Sequence, residues 1–189
     1  MIVYHGSPNK FNTFDYSCIG QNGTSEGIGF YCTDNKTIAE GYAKESRNNG
    51  KYEGYLYTIE FNGKKSLSST KRTITKSMLK KYLLTLQNNG IDYLSNYNDV
   101  EYYGVNKVLI EATEAENEAS SNDVDLICSI CHGSGNTEIC LKTLYNTFGY
   151  DSIILQAEWG INDITKENQN LYIALVNEAI MIKNIENVR

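Results

Sequence analysis

The sequence has one proline, Pro8, only two histidines and no excess of positive charge: 17 Lys+Arg stand against 23 Asp+Glu, a net charge of −6. So few cations argue against an unassisted grip on nucleic acid, which depends on clustered Lys and Arg releasing counterions from the phosphate backbone. No run approaches the roughly 18 apolar residues of a membrane span. The opening MIVYHGSPNK lacks the basic and then apolar regions of an export signal. Both absences lead to the expectation of a soluble, cytoplasmic protein with no membrane partner. The five cysteines, Cys18, Cys32, Cys128, Cys131 and Cys140, are an odd number, which fits reduced thiols better than a disulfide framework. There is no internal repeat, low-complexity stretch or linker, so one domain over residues 1–189 is expected.

What is present is an ordinary globular balance, 41% hydrophobic and 21% charged, with an excess of tyrosine at 15 residues. The short apolar run Ile2 to His5, ended by Gly6-Ser7-Pro8, reads as a strand that delivers His5 to a loop. Asn9 to Gly29 is rich in Gly, Asn and Ser and reads as a long loop with one helical turn. Phe30 to Cys32 is β-prone, and Asp34 is placed to cap a helix over Lys36 to Glu45. Gly54 to Phe61 alternates with period two before the Asn62-Gly63 turn and is a strand. Helical spacing of apolar residues marks Thr75–Leu86, Tyr103–Ala115 and Asn136–Phe148, with the acidic stretch Glu111 to Asp125 read as a solvated helix end and loop. Asp151–Leu155, Leu171–Val176 and Ile180–Ile185 return to strands. The order lacks regular βαβ alternation, which indicates an α+β class.

Three segments stand out for chemistry: Tyr4-His5-Gly6-Ser7, then Gly27-Ile28-Gly29-Phe30-Tyr31-Cys32-Thr33-Asp34, then Ala39-Glu40-Gly41-Tyr42-Ala43. Gly6 and Gly29 lack a Cβ that would block a ligand from the backbone. Tyr31 and Tyr42, eleven residues apart on a strand and the following helix, can sandwich a flat aromatic ring. This set resembles the ADP-ribosyltransferase superfamily, in the diphtheria-toxin and poly(ADP-ribose) polymerase branch, which carries a strand-borne His, a Gly-x-Gly-x-Tyr strand and a Glu on a third strand. The chain is most similar to the ADP-ribosyltransferase domains of phage and mobile-element polyvalent proteins, whose later segments resemble Leu94-Ser-Asn-Tyr-Asn-Asp-Val100, Gly149-Tyr-Asp-Ser-Ile-Ile154 and Tyr172-Ile-Ala-Leu175.

The resemblance implies split antiparallel β-sheets around an NAD cleft with flanking helices, and NAD+ as co-substrate. It implies that the Gly6 backbone pins the nicotinamide carboxamide, that His5 bonds a ribose hydroxyl and that Tyr31 and Tyr42 stack on the ring, with Ser7 and Gly29 completing the binding set. The third position departs from the pattern. Aligning the family strand on Tyr172-Ile173-Ala174-Leu175 puts Leu171 where the Glu belongs, and Gln169, two residues upstream, is the nearest polar substitute on the same parity. Glu167 is the nearest acid on that parity. Loss of the Glu fits mono-ADP-ribosyl transfer, with His5, Tyr31 and Gln169 as the catalytic set, and also fits a silent NAD-binding or protein-interaction module. The expected acceptor is a macromolecule, a protein in preference to nucleic acid, and a cognate inhibitor is an optional further partner. Cys128-x-x-Cys131-His132, with Cys140, is a weak zinc pattern. Its simpler reading is that Ile127, Cys128 and Cys131 pack a helix face, and no metal site is expected.

Overall fold

Period-two segments near both ends of the chain and period-3.6 segments in its middle become, in the computed structural model, a seven-stranded sheet and a set of helices. The structure describes residues 1–20, 26–44, 54–159 and 167–188, excepting the side chains of 157–159 and 167–169. The strands are β1 (Ile2–Ser7), β2 (Phe30–Thr33), β3 (Gly54–Phe61), β4 (Ser66–Leu67), β5 (Ser152–Trp159), β6 (Glu167–Ala174) and β7 (Ile180–Val188). The helices are α1 (Lys36–Lys44), α2 (Lys76–Asn88), α3 (Val100–Tyr103), α4 (Val105–Ala119), α5 (Asp123–Ser134) and α6 (Thr137–Phe148). The α+β class is as expected. Glu45, expected at the end of the first helix, lies outside the described residues.

The sheet order is β4-β5-β6-β2-β1-β3-β7. Register is continuous from Ile2↔Glu60 to Ser7↔Tyr55 between β1 and β3, and from Ser152↔Ala174 to Trp159↔Glu167 between β5 and β6. Between β1 and β2 only Tyr4↔Thr33 is in register. The ladder is thinnest at that junction, and the seven strands form one sheet.

By contact the chain groups into two compact units. The first takes Met1–Cys18, Gly29–Ser66 and Asp151–Arg189; the second takes Ile19–Ile28 and Leu67–Tyr150. In the first unit α1 lies directly on the sheet, because glycines remove the side chains that would hold it off. A Cβ on Gly6 would stand 1.9 Å from the Ala39 carbonyl oxygen, and one on Gly54 would stand 1.9 Å from that of Ala43. The same unit is fastened by buried Asp151, whose carboxylate accepts the backbone N–H groups of Lys64 (2.8 Å) and Lys65 (3.0 Å) and the Ser152 hydroxyl (2.9 Å).

The second unit is helical, with Leu79, Leu83, Leu109, Leu126, Ile127 and Leu144 among its fully buried residues. Each such side chain contributes about 1.5–3 kcal/mol on burial. Thr75, Asn122 and Asn136 cap α2, α5 and α6 by accepting the N–H of the residue three ahead. Two expectations change here. The helix predicted from Tyr103 is broken by Gly104, whose φ of 81° does not continue a helix, so α3 and α4 are separate. The acidic stretch Glu111–Asp125 is not wholly solvated, because two of its six acids, Glu116 and Asp123, are buried. Glu116 accepts both the Tyr93 and Tyr97 hydroxyls, and fully buried Asp123 accepts the N–H groups of Thr73 (2.7 Å) and Ile74 (2.9 Å) as well as the Thr73 hydroxyl. A carboxylate that receives several donors can be buried, whereas a free one would stay in water.

Candidate functional site

Strand β1 places His5 opposite Tyr57 of β3, and the following residues curl back over the imidazole. The ring is ringed by aromatics, edge-on to Phe14 with centroids 5.1 Å apart, to Tyr57 at 5.8 Å and to Phe11 at 5.9 Å. Phe11 in turn stacks on Tyr57 at 4.2 Å. The loop that supplies Phe11 and Phe14 is pinned by polar groups. The Tyr57 hydroxyl accepts from Phe11 N (2.7 Å) and donates to Asn9 O (3.1 Å), and the Asn177 side-chain amide donates to Phe14 O (3.1 Å). Sequence reasoning missed this cage; its signal was a pair of phenylalanines, Phe11 and Phe14, in an otherwise polar loop.

Across the β1–β2 junction, His5 Nδ1 lies 2.7 Å from the backbone oxygen of Tyr31. A carbonyl can only accept, so the proton is on Nδ1. Burial lowers the His5 pKa below its ordinary value, and the bond to the Tyr31 carbonyl only partly opposes that. The imidazole is thus neutral at pH 7 with a fixed tautomer, and Nε2 carries a lone pair. In that state Nε2 can accept a hydrogen bond and cannot act as a charged acid.

The other expected residues fall at or beside this junction. Gly6 follows His5, and its missing Cβ is occupied by α1, so its presence has a packing cause independent of any ligand. Gly29 has a φ of 148° and comes so close to β6 that a Cβ would stand 2.5 Å from the Ala174 oxygen. Ser7 is buried, and its hydroxyl accepts from Asn9 N (3.2 Å), which closes the turn after β1. Tyr31 is half-buried on β2, opposite Ile173 of β6, and Tyr42 is 41% exposed on α1. The structure thus joins His5 to Tyr31 through the latter's backbone.

At the third position, Leu171 is buried and pairs with both Thr33 and Leu155, so it serves packing. Gln169 and Glu167 are backbone members of β6, opposite Ala157 and Trp159, and their side chains lie outside the described residues. Between Gln169 and Leu171 the strand carries a feature the sequence reading did not anticipate. Asp34 accepts from Asn170 N (3.1 Å) and from the Asn170 side-chain amide (2.6 Å). The expected capping role of Asp34 passes instead to Asn35, whose side-chain oxygen accepts Ile38 N at 3.2 Å. Asp34 sits one residue too early and is drawn across to β6.

The thiols behave as packing groups. Cys131 and Cys140 are fully buried, Cys140 donates to the Ser134 hydroxyl (3.0 Å), and burial pushes the half-buried Cys128 up to about 11. Among the described residues no helix is long and apolar enough to cross a membrane.

Comparison with curated proteins and with solved structures finds no match. A family model described as ADP-ribosyltransferase in polyvalent proteins matches residues 1–188. That span takes in the His5–Tyr31 junction, the seven-stranded sheet and the helices, and the chain belongs to this ADP-ribosyltransferase family.

Proposed function

We propose that this chain binds NAD+ at the β1–β2 junction and transfers a single ADP-ribose to a macromolecular acceptor, a protein in preference to nucleic acid. The observation that carries the reading is the His5–Tyr31 contact: a neutral imidazole with its Nδ1 proton committed to a carbonyl presents Nε2 to a ribose hydroxyl. In the reaction the bond between ribose C1′ and the nicotinamide nitrogen breaks, and nicotinamide leaves neutral with the bonding pair. An acceptor lone pair then forms the new bond to C1′ and the acceptor loses a proton. Holding the ribose by its hydroxyls while Tyr31 and Tyr42 grip the leaving ring favours the oxocarbenium-like state over the ground state. Gly6, Ser7 and Gly29 supply the backbone of the binding set. Gln169 fills the third catalytic position by hydrogen bonding to a ribose hydroxyl.

A second reading has its own support. Buried Leu171 at the family's carboxylate position leaves no charge there to stabilise a cationic transition state, which favours a module that binds NAD+ without cleaving it. Incubation of the protein with NAD+ and chromatographic detection of free nicotinamide separates the two. We expect release, lowered by roughly 10²-fold or more in His5→Ala and reduced in Gln169→Ala. Binding of NAD+ without release, in buffer and in cell lysate alike, would establish the silent module.

A further inference from the structure

Charge is unevenly distributed along this acidic chain. Residues 61–91 hold seven of the 17 Lys+Arg and no Asp or Glu. Helix α2 lies in that segment and carries Lys76, Lys80 and Lys81 in its first two turns, with no acid along its length. A helix macrodipole favours the reverse arrangement, with anions at the N-terminus. Two of these lysines have local partners, Lys76 in Glu114 and Lys81 in the Phe148 ring, 5.6 Å from its ammonium.

The neighbouring helix completes that surface. Helices α2 and α4 pack together, Lys76 pairs with Glu114, and a groove of about 280 Å³ opens between them, lined by Lys76, Ser77, Lys80, Ile110, Thr113 and Glu114. Apolar groups crop out along it: Ile110 is 50% exposed, and Leu84, one turn beyond Lys80, is 37% exposed. On α4, Lys107 lies one turn before Ile110, with its ammonium 4.1 Å from the centre of the exposed Tyr103 ring. Glu114, the acid that lines the groove, is already held by Lys76.

We propose that the α2–α4 face is a docking surface for an acidic, amphipathic helical segment of a protein partner. A groove between two packed helices is shaped to take a third. Ile110 and Leu84 would be covered by the partner's apolar stripe, and Lys80 and Lys107 would face carboxylates on either side of it. Single-stranded nucleic acid would find the lysines but gain nothing from the aliphatic residues, and Lys107 already covers Tyr103, which would otherwise offer a stacking face.

Selection from a displayed library of random 16-residue peptides against the full chain tests this, with binding measured by fluorescence anisotropy. The selected peptides are expected to be acidic, with apolar residues at i, i+3, i+4 and i+7. Lys80→Glu and Ile110→Ser should each weaken binding by roughly tenfold or more, while circular dichroism shows both variants folded. Scrambling the peptide at constant composition should abolish binding, and a 20-residue oligothymidylate should not compete. Failure to select binders, peptides without acidic amphipathic character, indifference to either substitution or to scrambling, or displacement by the oligonucleotide would each overturn the proposal. The last result would point to a polyanion surface instead.

Discussion

At the scale of single residues, His5 carries the argument, and its environment makes a prediction about pH. Because burial lowers its pKa in the folded chain below the ordinary 6.5, the unfolded chain takes up a proton at pH values where the folded one does not. The contribution of neutral His5 to stability is therefore complete above about pH 6.5 and is lost as the pH falls toward the lowered folded value. Urea midpoints measured at pH 7.5 and 5.5 should fall on acidification, and His5→Gln should flatten the difference. An unchanged slope in His5→Gln would contradict the buried neutral imidazole. His5 and Tyr31 both stand in the motifs read from the sequence, and the structure brings the His5 ring to the Tyr31 backbone. The cage of Phe11, Phe14 and Tyr57 was not legible there, because it joins residues up to 46 apart in sequence and neither periodicity nor spacing encodes such a contact. The same holds for the Asp34–Asn170 bridge, whose partners are 136 residues apart.

At the scale of elements, alternation and helical spacing, which are local signals, located every strand but β4 and the helices α1, α2, α4 and α6, and gave no bounds for α3 or α5. They failed where a charge was paid back by distant partners. Asp123 and Glu116 read as solvent-facing because Thr73, Ile74, Tyr93 and Tyr97, which satisfy them, are remote in sequence. The seat of α1 on the sheet offers a sharp test. Gly6→Ala puts a methyl 1.9 Å from a backbone oxygen, and because neither strand nor helix can yield without disturbing its own hydrogen bonds, we expect a loss of about 2 kcal/mol or more. Thermal unfolding checks this, and an unchanged Tm would show that α1 does not rest on β1. Removing the cap with Asn35→Ala should cost less, about 1 kcal/mol.

At the scale of the whole chain, Asp151 stands where the sequence re-enters the sheet-bearing unit after the helical segment. It ties that re-entry point to the chain's departure at Lys64 and Lys65. Asp151→Ala strips both backbone donors of their acceptor, and a loss of at least about 2 kcal/mol is expected from denaturant titration. Asp151→Asn should recover part of it, since one oxygen remains to accept; equal losses in the two variants would mean that filling the space, rather than accepting hydrogen bonds, is what the residue does. The family and the α+β class were readable across the full length, whereas the division into two units was not, because it rests on contacts between segments remote in sequence.

The order of strands also bears on how the protein is made. β2 finds its neighbour β6 only near the far end of the chain, about 140 residues later in sequence. At ribosomal rates of about 5–20 residues per second, β2 emerges roughly 7–30 s before its partner exists. During that interval the strand that carries Tyr31 has an open edge, and the nascent chain is exposed to chaperones and to mispairing until β6 arrives to pair with it.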